Sequence, residues 1–365
     1  MTRGRFCALL VFGLLAFARV GVAADWQDGA GPDWQRVVAA AQKEGPVVVA
    51  GAGELAKPMK DAFTRDTGIA VEWLAAEPRD ILPRIGREVR ARSLTIDLFF
   101  TGASMLGMMH DGLMAPIKPQ LLLPGVNDAA NWNDGRIKWV DNEQQYFLIP
   151  CEYVFGWPLF NAEIVKHGQI ATWKDMLRPE FKGKIAAYDP RSPGPGQAGA
   201  AYLADLYGID FVKALYVGQD ATLAANSRQL VEWVARGTYP IGLSTVPTDI
   251  ESFRQNGFKT LDVGDMRDGP GTLLGGSSLV VEAKGVPHPN AATVFLNWYL
   301  SRPGQEIYSA VWGIPSRRAD VHVPTVPAYT IPKPGAAYLD QYREDWYQNV
   351  RPKLQAEIIA ALGGQ

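Results

Sequence analysis

Short apolar runs alternate with amphipathic stretches along this chain, and that alternation constrains the fold more than any other feature. The run Val47-Val48-Val49-Ala50 is apolar on both faces, as a strand covered by helices on either side must be. Residues 34–44 read as a helix, with Val37, Val38 and Ala41 on one face and Gly45-Pro46 as its stop. After the turn Gly51-Ala52-Gly53-Glu54, the residues Met59, Ala62 and Phe63 mark a second helix that ends at Gly68. Residues 69–74 and 96–100 read as strands, with a helix over 81–92 between them. Strand and helix at this spacing build a mostly parallel sheet with crossover helices.

The middle is rich in turns, and then the same pattern returns. Strands are expected over 184–188, 240–244 and 279–281, and helices over 197–207, 209–219, 228–236 and 291–300. A Pro-rich, extended tail over 322–334 precedes a last helix over 352–362. No repeat or low-complexity tract is visible. The chain is too long for one simple core, so the expected fold class is α/β in two lobes.

Residues 1–24 carry the three parts of a secretory leader. Arg3 and Arg5 come first, then an apolar run over 6–17, then Gly21-Val22-Ala23-Ala24. The apolar run is too short for a membrane-spanning helix, which needs about 20 residues. Cleavage after Ala23 or Ala24 and a periplasmic location are expected. Without the leader's three arginines, 33 basic residues remain against 38 acidic, a net charge of −5. That balance does not suit a nucleic-acid binder, which shows a basic surface. Cys7 departs with the leader, so Cys151 stays alone as a small buried side chain rather than half of a disulfide.

Motifs of chemistry are sparse. Gly194-Pro195-Gly196-Gln197-Ala198-Gly199 has the dinucleotide-binding spacing after a strand and before a helix. The second strand of a Rossmann unit is missing before Asp220, so the spacing reads better as glycine-rich backbone at a helix start. Free N–H groups and a positive dipole there favour an anion. No phosphate-binding P-loop, nucleophile elbow or H-E-x-x-H motif occurs, and His110, His167, His288 and His322 are scattered. No base stands near Cys151 to activate it, so these motifs carry no enzyme site such as a hydrolase's, and no cofactor is expected.

Several segments together resemble the ferric-ion-type solute-binding proteins, within the two-lobed periplasmic receptors of type II strand order. They are Val48-Val49-Ala50-Gly51-Ala52-Gly53 with 62–71, then Ile96-Asp97-Leu98-Phe99-Phe100-Thr101 with Asp111-Gly112-Leu113-Met114-Ala115-Pro116. Phe181-Lys182-Gly183-Lys184-Ile185, Ala225-Asn226-Ser227, Ser301-Arg302-Pro303-Gly304-Gln305-Glu306 and residues 315–321 complete the set. The resemblance implies ligand capture in a cleft, delivery to a permease and ATPase on separate chains, and a monomer that meets the membrane only through that permease. It implies one lobe of 25–117 plus 276–326, another of 118–275 plus 327–365, and hinges near Ile117 and Gly275.

It also marks a departure. The iron-binding relatives use adjacent tyrosines after a strand that here leads into Ser244-Thr245-Val246-Pro247. They use an imidazole and a carboxylate where this chain has Ala52-Gly53 and Thr101-Gly102. Hydroxyls do not replace phenolate for Fe(III), so a small organic anion or oxyanion is the expected solute, with a ferric ion or complex as the alternative. Candidate ligand residues at strand ends and crossovers are Gly53, Glu54, Glu77, Arg79, Thr101, Ser104, Glu152 and Tyr153. Asp189, Arg191, Ser192, Asn226, Ser227, Ser244 and Thr245 join them from the other lobe. Arg191 beside the glycine turn is the expected anion contact, and Asn226-Ser227 reads equally as a helix cap.

The leader yields the first prediction. N-terminal sequencing of protein released from the periplasm by osmotic shock should begin at Ala24 or Asp25. An intact Met1 in that fraction would contradict it.

Overall fold

The computed structural model describes residues 25–76, 78–191 and 194–363, and no side-chain description extends to Pro78 or Arg79. The leader, Glu77, Ser192 and the side chain of Arg79 therefore lie outside the described residues.

Thirteen strands are formed among the described residues. In chain order they are β1 (Val47–Gly51), β2 (Val71–Ala75), β3 (Leu98–Thr101), β4 (Met114–Ala115), β5 (Tyr153–Phe155), β6 (Leu159–Asn161) and β7 (Ile185–Tyr188). They continue with β8 (Thr222–Ala224), β9 (Ile241–Leu243), β10 (Leu261–Val263), β11 (Thr272–Leu274), β12 (Leu279–Ala283) and β13 (Leu339–Asp340). The longer helices are α1 (Pro32–Glu44), α2 (Gly53–Thr67), α3 (Pro78–Ala91), α4 (Pro195–Tyr207) and α5 (Ser227–Ala235). After them come α6 (Pro247–Gln255), α7 (Pro289–Leu300), α8 (Arg302–Trp312) and α9 (Arg351–Ala361).

The first sheet has the order β2-β1-β3-β12-β4. Strand β1 lies parallel to β2 and β3, with Val47 opposite Val71 and Val49 opposite Leu98, while β12 runs antiparallel to β3 and β4. Its apolar strands are buried on both faces, as their composition requires. On one face Phe63, Phe100, Phe295, Trp298 and Tyr299 form an aromatic core, with Phe100 edge-on to Tyr299 at 4.9 Å. The buried carboxylate of Asp97 pins the sheet to α7. It accepts the Val48 N–H at 2.8 Å and the His288 N–H at 2.7 Å, and lies 2.9 Å from His288 Nδ1.

The second sheet has the order β10-β6-β9-β7-β8, with β7 parallel to β8 and β9, and β6 antiparallel to β9 and β10. Ile185, Ala187, Tyr202, Leu203, Ile241 and Leu243 form its core. A separate ribbon, β13-β11-β5, joins the two halves. Strand β5 carries the chain out of the first core into the second, and β11 brings it back, with Tyr153 opposite Leu274. The segment 118–151, which the sequence reading assigned to the second lobe, packs in the first core: Leu121, Val126, Trp132 and Cys151 are buried there. The chain crosses at Tyr153 rather than near Ile117. The tail does more than rest on one lobe, since Tyr342 is buried in the first core while Trp346 and Ile358 are buried in the second.

Glu282 on β12 is 6% exposed, and its Oε2 has no hydrogen-bond partner. Burial, with Asp97 adding repulsion, pushes its pKa up to about 7, against a hydrogen bond from Gln120. The folded protein therefore holds a proton between about pH 4.5 and 7 that the unfolded chain releases, and stability falls across that window as pH rises. Glu282→Gln should flatten that fall, whose slope is at most about 1.4 kcal/mol per pH unit, and should leave the variant more stable than the parent at pH 8. Urea unfolding at pH 5, 6, 7 and 8 checks the sign; parallel curves for the two proteins would contradict it.

Candidate functional site

A cavity of about 590 Å³ opens between the two sheets, with the start of β5 and the end of β11 as its floor. The ends of the strands and the starts of the following helices face it, as expected for a ligand cleft in open α/β sheets. From the first half come Gly102, Ala103 and Ser104 after β3, Gly276 and Ser277 before β12, and Tyr308 and Trp312 on α8. From the second half come Tyr188 at the end of β7, the first turn of α4 and the segment Val246-Pro247-Thr248 after β9. The third wall is the tail, with Gln341, Tyr342, Trp346, Tyr347 and Arg351.

Local geometry explains how each wall is held. The Tyr342 hydroxyl donates to the Gly276 carbonyl and accepts the Ala103 N–H at 3.2 Å, which seats the ring across the strand ends of the first sheet. A side chain at Gly102 or Gly275 would strike that ring, at 3.0 Å and 2.6 Å. Arg351 donates to Gln197 Oε1 on the first turn of α4, and its guanidinium lies 4.8 Å over the Tyr347 ring. Among the described lining residues Arg351 is the one side chain with a permanent charge, and no aspartate or glutamate joins it. Burial raises the phenols of Tyr153, Tyr308 and Tyr342 well above their ordinary value, so they face the cavity as neutral hydroxyls at pH 7.

Of the residues singled out from sequence, the structure brings Ser104 and Tyr153 to this cavity. Glu152 instead points to the far side of the ribbon, where it pairs with Lys138 and, at 3.4 Å, with Arg317. Arg191 folds back on Asp189 of its own loop, Nη2 to Oδ2 at 2.7 Å, which holds that carboxyl below its ordinary value, and neither residue lines the cavity. Asn226 caps α5 by accepting the Gln229 N–H at 2.9 Å, and the Ser227 hydroxyl accepts the Val246 N–H at 2.8 Å. Ser244 and Thr245 are buried, Thr101 is buried behind Gly102, and Gly53 and Glu54 are exposed at the start of α2.

The glycines of the 194–199 run have a packing explanation. Gly194 takes φ +138°, which only glycine adopts readily. A Cβ on Gly196 would meet the Tyr188 and Asp189 carbonyl oxygens at 2.5 and 2.6 Å, and one on Gly199 would overlap Ser244 Oγ. The spacing thus lets α4 dock tightly on the ends of β7 and β9 and points its first turn into the cavity. That part of the site was legible as a glycine-rich helix start. The tail wall was not: Trp346, Tyr347 and Arg351 carried no motif, and only the chain's return between the lobes brings them here.

The profile of the bacterial extracellular solute-binding protein family matches residues 58–331. An uncharacterized protein of Haemophilus influenzae is 32% identical over 145 residues, which are 37% of this chain and 38% of that protein's length. Among solved structures, the apo ferric ion-binding protein A of Pasteurella haemolytica aligns with a TM-score of 0.65 at 16% identity, over 87% of this chain and 96% of that one. A periplasmic binding protein of Actinobacillus pleuropneumoniae with fructose 6-phosphate bound aligns at 0.61 and 18%, covering 88% and 99%. The substrate-binding protein of an ABC transporter from Agrobacterium tumefaciens aligns at 0.63 and 19%, covering 88% and 96%.

Gly196→Ala tests the docking of α4. The added methyl meets main-chain oxygens that cannot rotate away, so the helix start must shift, at a cost of about 1–3 kcal/mol. Urea unfolding should show that loss with an unchanged m-value; an unaltered midpoint would mean the contact is slack.

Proposed function

The chain belongs to the bacterial extracellular solute-binding protein family, and we propose that it captures a small organic anion in the interlobe cavity and delivers it to an ABC permease. The observation that carries this reading is the charge of the cavity wall. Arg351 stands there beside the first turn of α4 with no carboxylate among the described lining residues, so a solute's negative charge supplies the missing counter-ion. The anion contact moves accordingly from Arg191, which Asp189 already satisfies, to Arg351.

The hinge in this proposal is the ribbon β5-β11-β13. One lobe comprises residues 25–152 and 275–321, and the other residues 156–271 together with α9, with 322–340 running between them. A solute bound against both would draw them together by bending at Tyr153 and Leu274. The bound lobes would then be read by a membrane permease and its ATPase, and the protein would act in the periplasm without chemistry of its own. Burial pushes the Cys151 thiol far above its ordinary pKa and it donates to Gln305 Oε1 at 3.3 Å, which suits a packing role rather than a nucleophile's.

The ferric alternative is less well supported. Among the described residues no three His, Cys, Asp or Glu side chains cluster to hold a metal.

A thermal-shift screen over organic acids, phosphate esters, amino acids and ferric citrate identifies the solute. A compound at 100 times its Kd should stabilise the protein by about 2.7 kcal/mol. X-ray scattering with that compound should show a smaller radius of gyration. Stabilisation by ferric citrate alone, with a visible tyrosinate-to-iron band, would replace the organic anion with iron.

A further inference from the structure

The tail wall of the cavity constrains the solute beyond its charge, on the reading that the cavity is the solute site. The family profile ends at residue 331, whereas Gln341, Tyr342, Trp346, Tyr347 and Arg351 all lie beyond it. These residues form the tail wall. Three observations along it bear on the solute's chemistry.

Charge is the first. One guanidinium and no described carboxylate accommodate a single negative charge, while an ammonium on the same solute would be left without a partner in a largely apolar site. Surface is the second. Trp346 lies 5.5 Å from Tyr347 at 73°, Tyr342 lies 6.1 Å from Tyr347 at 87°, and across the cavity Tyr308 and Trp312 are 6.5 Å apart. These rings line the cavity, and an aromatic lining takes a flat, polarisable partner. Unmet hydrogen bonding is the third. Gln341 is 1% exposed and Trp346 is 5% exposed, yet both ends of the Gln341 amide and the Trp346 indole N–H lack partners, as does the Trp312 indole N–H. Rotation of the Gln341 amide toward the cavity would let a solute satisfy it. Three donor groups against one acceptor favour a solute rich in acceptors over one rich in hydroxyls.

We infer that the solute is an aromatic or heteroaromatic monoanion, a planar ring bearing one carboxylate and further acceptor atoms, read by the tail residues Gln341, Trp346 and Arg351. The carboxylate meets Arg351 and the first turn of α4, the ring lies among Trp346, Tyr347 and Trp312, and the ring's acceptors engage Gln341.

The test is equilibrium binding followed by tryptophan emission and melting temperature, with benzoate, 4-hydroxybenzoate, nicotinate and quinaldate as the aromatic probes. Fructose 6-phosphate, glutamate and succinate serve as the contrasting ones. At least one aromatic acid should bind, change the emission and raise the melting temperature. Arg351→Gln should weaken that acid at least 10-fold, Arg351→Lys should recover part of the loss, and Trp346→Phe should reduce the emission change. If no aromatic acid binds, the solute class is overturned, whatever else does. If a sugar phosphate, zwitterion or dicarboxylate binds instead and Arg351→Gln weakens it, the class fails while the cavity remains the site. A solute whose affinity ignores both Arg351→Gln and Trp346→Phe would overturn the cavity reading itself.

Discussion

Two well-packed cores are joined by a ribbon of three short strands, and the rest of the structure depends on how that ribbon is held. Strands β5, β11 and β13 are two or three residues long, and their residues are buried or half-buried. A charge network lies on one side. Lys138 pairs with Glu152 at the start of β5 and with Asp340 on β13 at 2.8 Å, and Arg317 joins Glu152 at 3.4 Å. Burial lowers the Arg317 pKa, while Glu152, with Asp134 and Asp340, opposes that shift. Removing one member would strand the others. The network therefore fixes where the crossing strands leave the first core, and with them the floor of the cavity.

The opposite side of the ribbon is covered by aromatic rings. Tyr153 lines the cavity from β5, and Tyr342 closes over Gly102 and Gly275 with its hydroxyl satisfied by the main chain of the first lobe. From Tyr342 the chain turns directly to Trp346 in the second core and then to α9. Each crossing segment thus has one end fixed by packing in each lobe. In the proposed closure, bending would be concentrated in the few residues between, because compact cores resist shear more strongly than a three-residue strand resists twist.

The βα alternation of the first lobe was legible because β1 and β3 are buried nearly throughout, and such strands announce themselves as unbroken apolar runs. Strands 47–51, 71–75 and 98–101, and helices α1, α3 and α7, fall close to the expected positions. The ribbon was not legible. Tyr153-Val154-Phe155 and Thr272-Leu273-Leu274 are too short to show a period, and their partners lie more than a hundred residues away. The segment 118–151 misled for a related reason: its turns resemble those of a linker, while Trp132, Phe147 and Ile149 bind it to the first core. For the candidate site, the glycine turn read from sequence lines the cavity, whereas Arg191 does not. Asp189, two residues from Arg191, was already in view as a competing partner.

The contrast between Arg191 and Arg351 bears on the proposed anion site. A cation whose charge is met inside its own loop contributes little to an incoming anion, because the anion must first displace a carboxylate held at 2.7 Å. Arg351 has a neutral amide as its polar partner and an aromatic face beneath it, so its charge is oriented but not cancelled. Neutral phenols around it lower the local polarity without adding negative charge, which makes the one guanidinium among the described lining residues count for more than it would in water. The same tail that carries Arg351 also crosses between the lobes, so a solute that engages it touches both halves of the protein at once. In the proposed closure, recognition and motion would be coupled through that segment, which the ion network on the other side of the ribbon holds through Asp340.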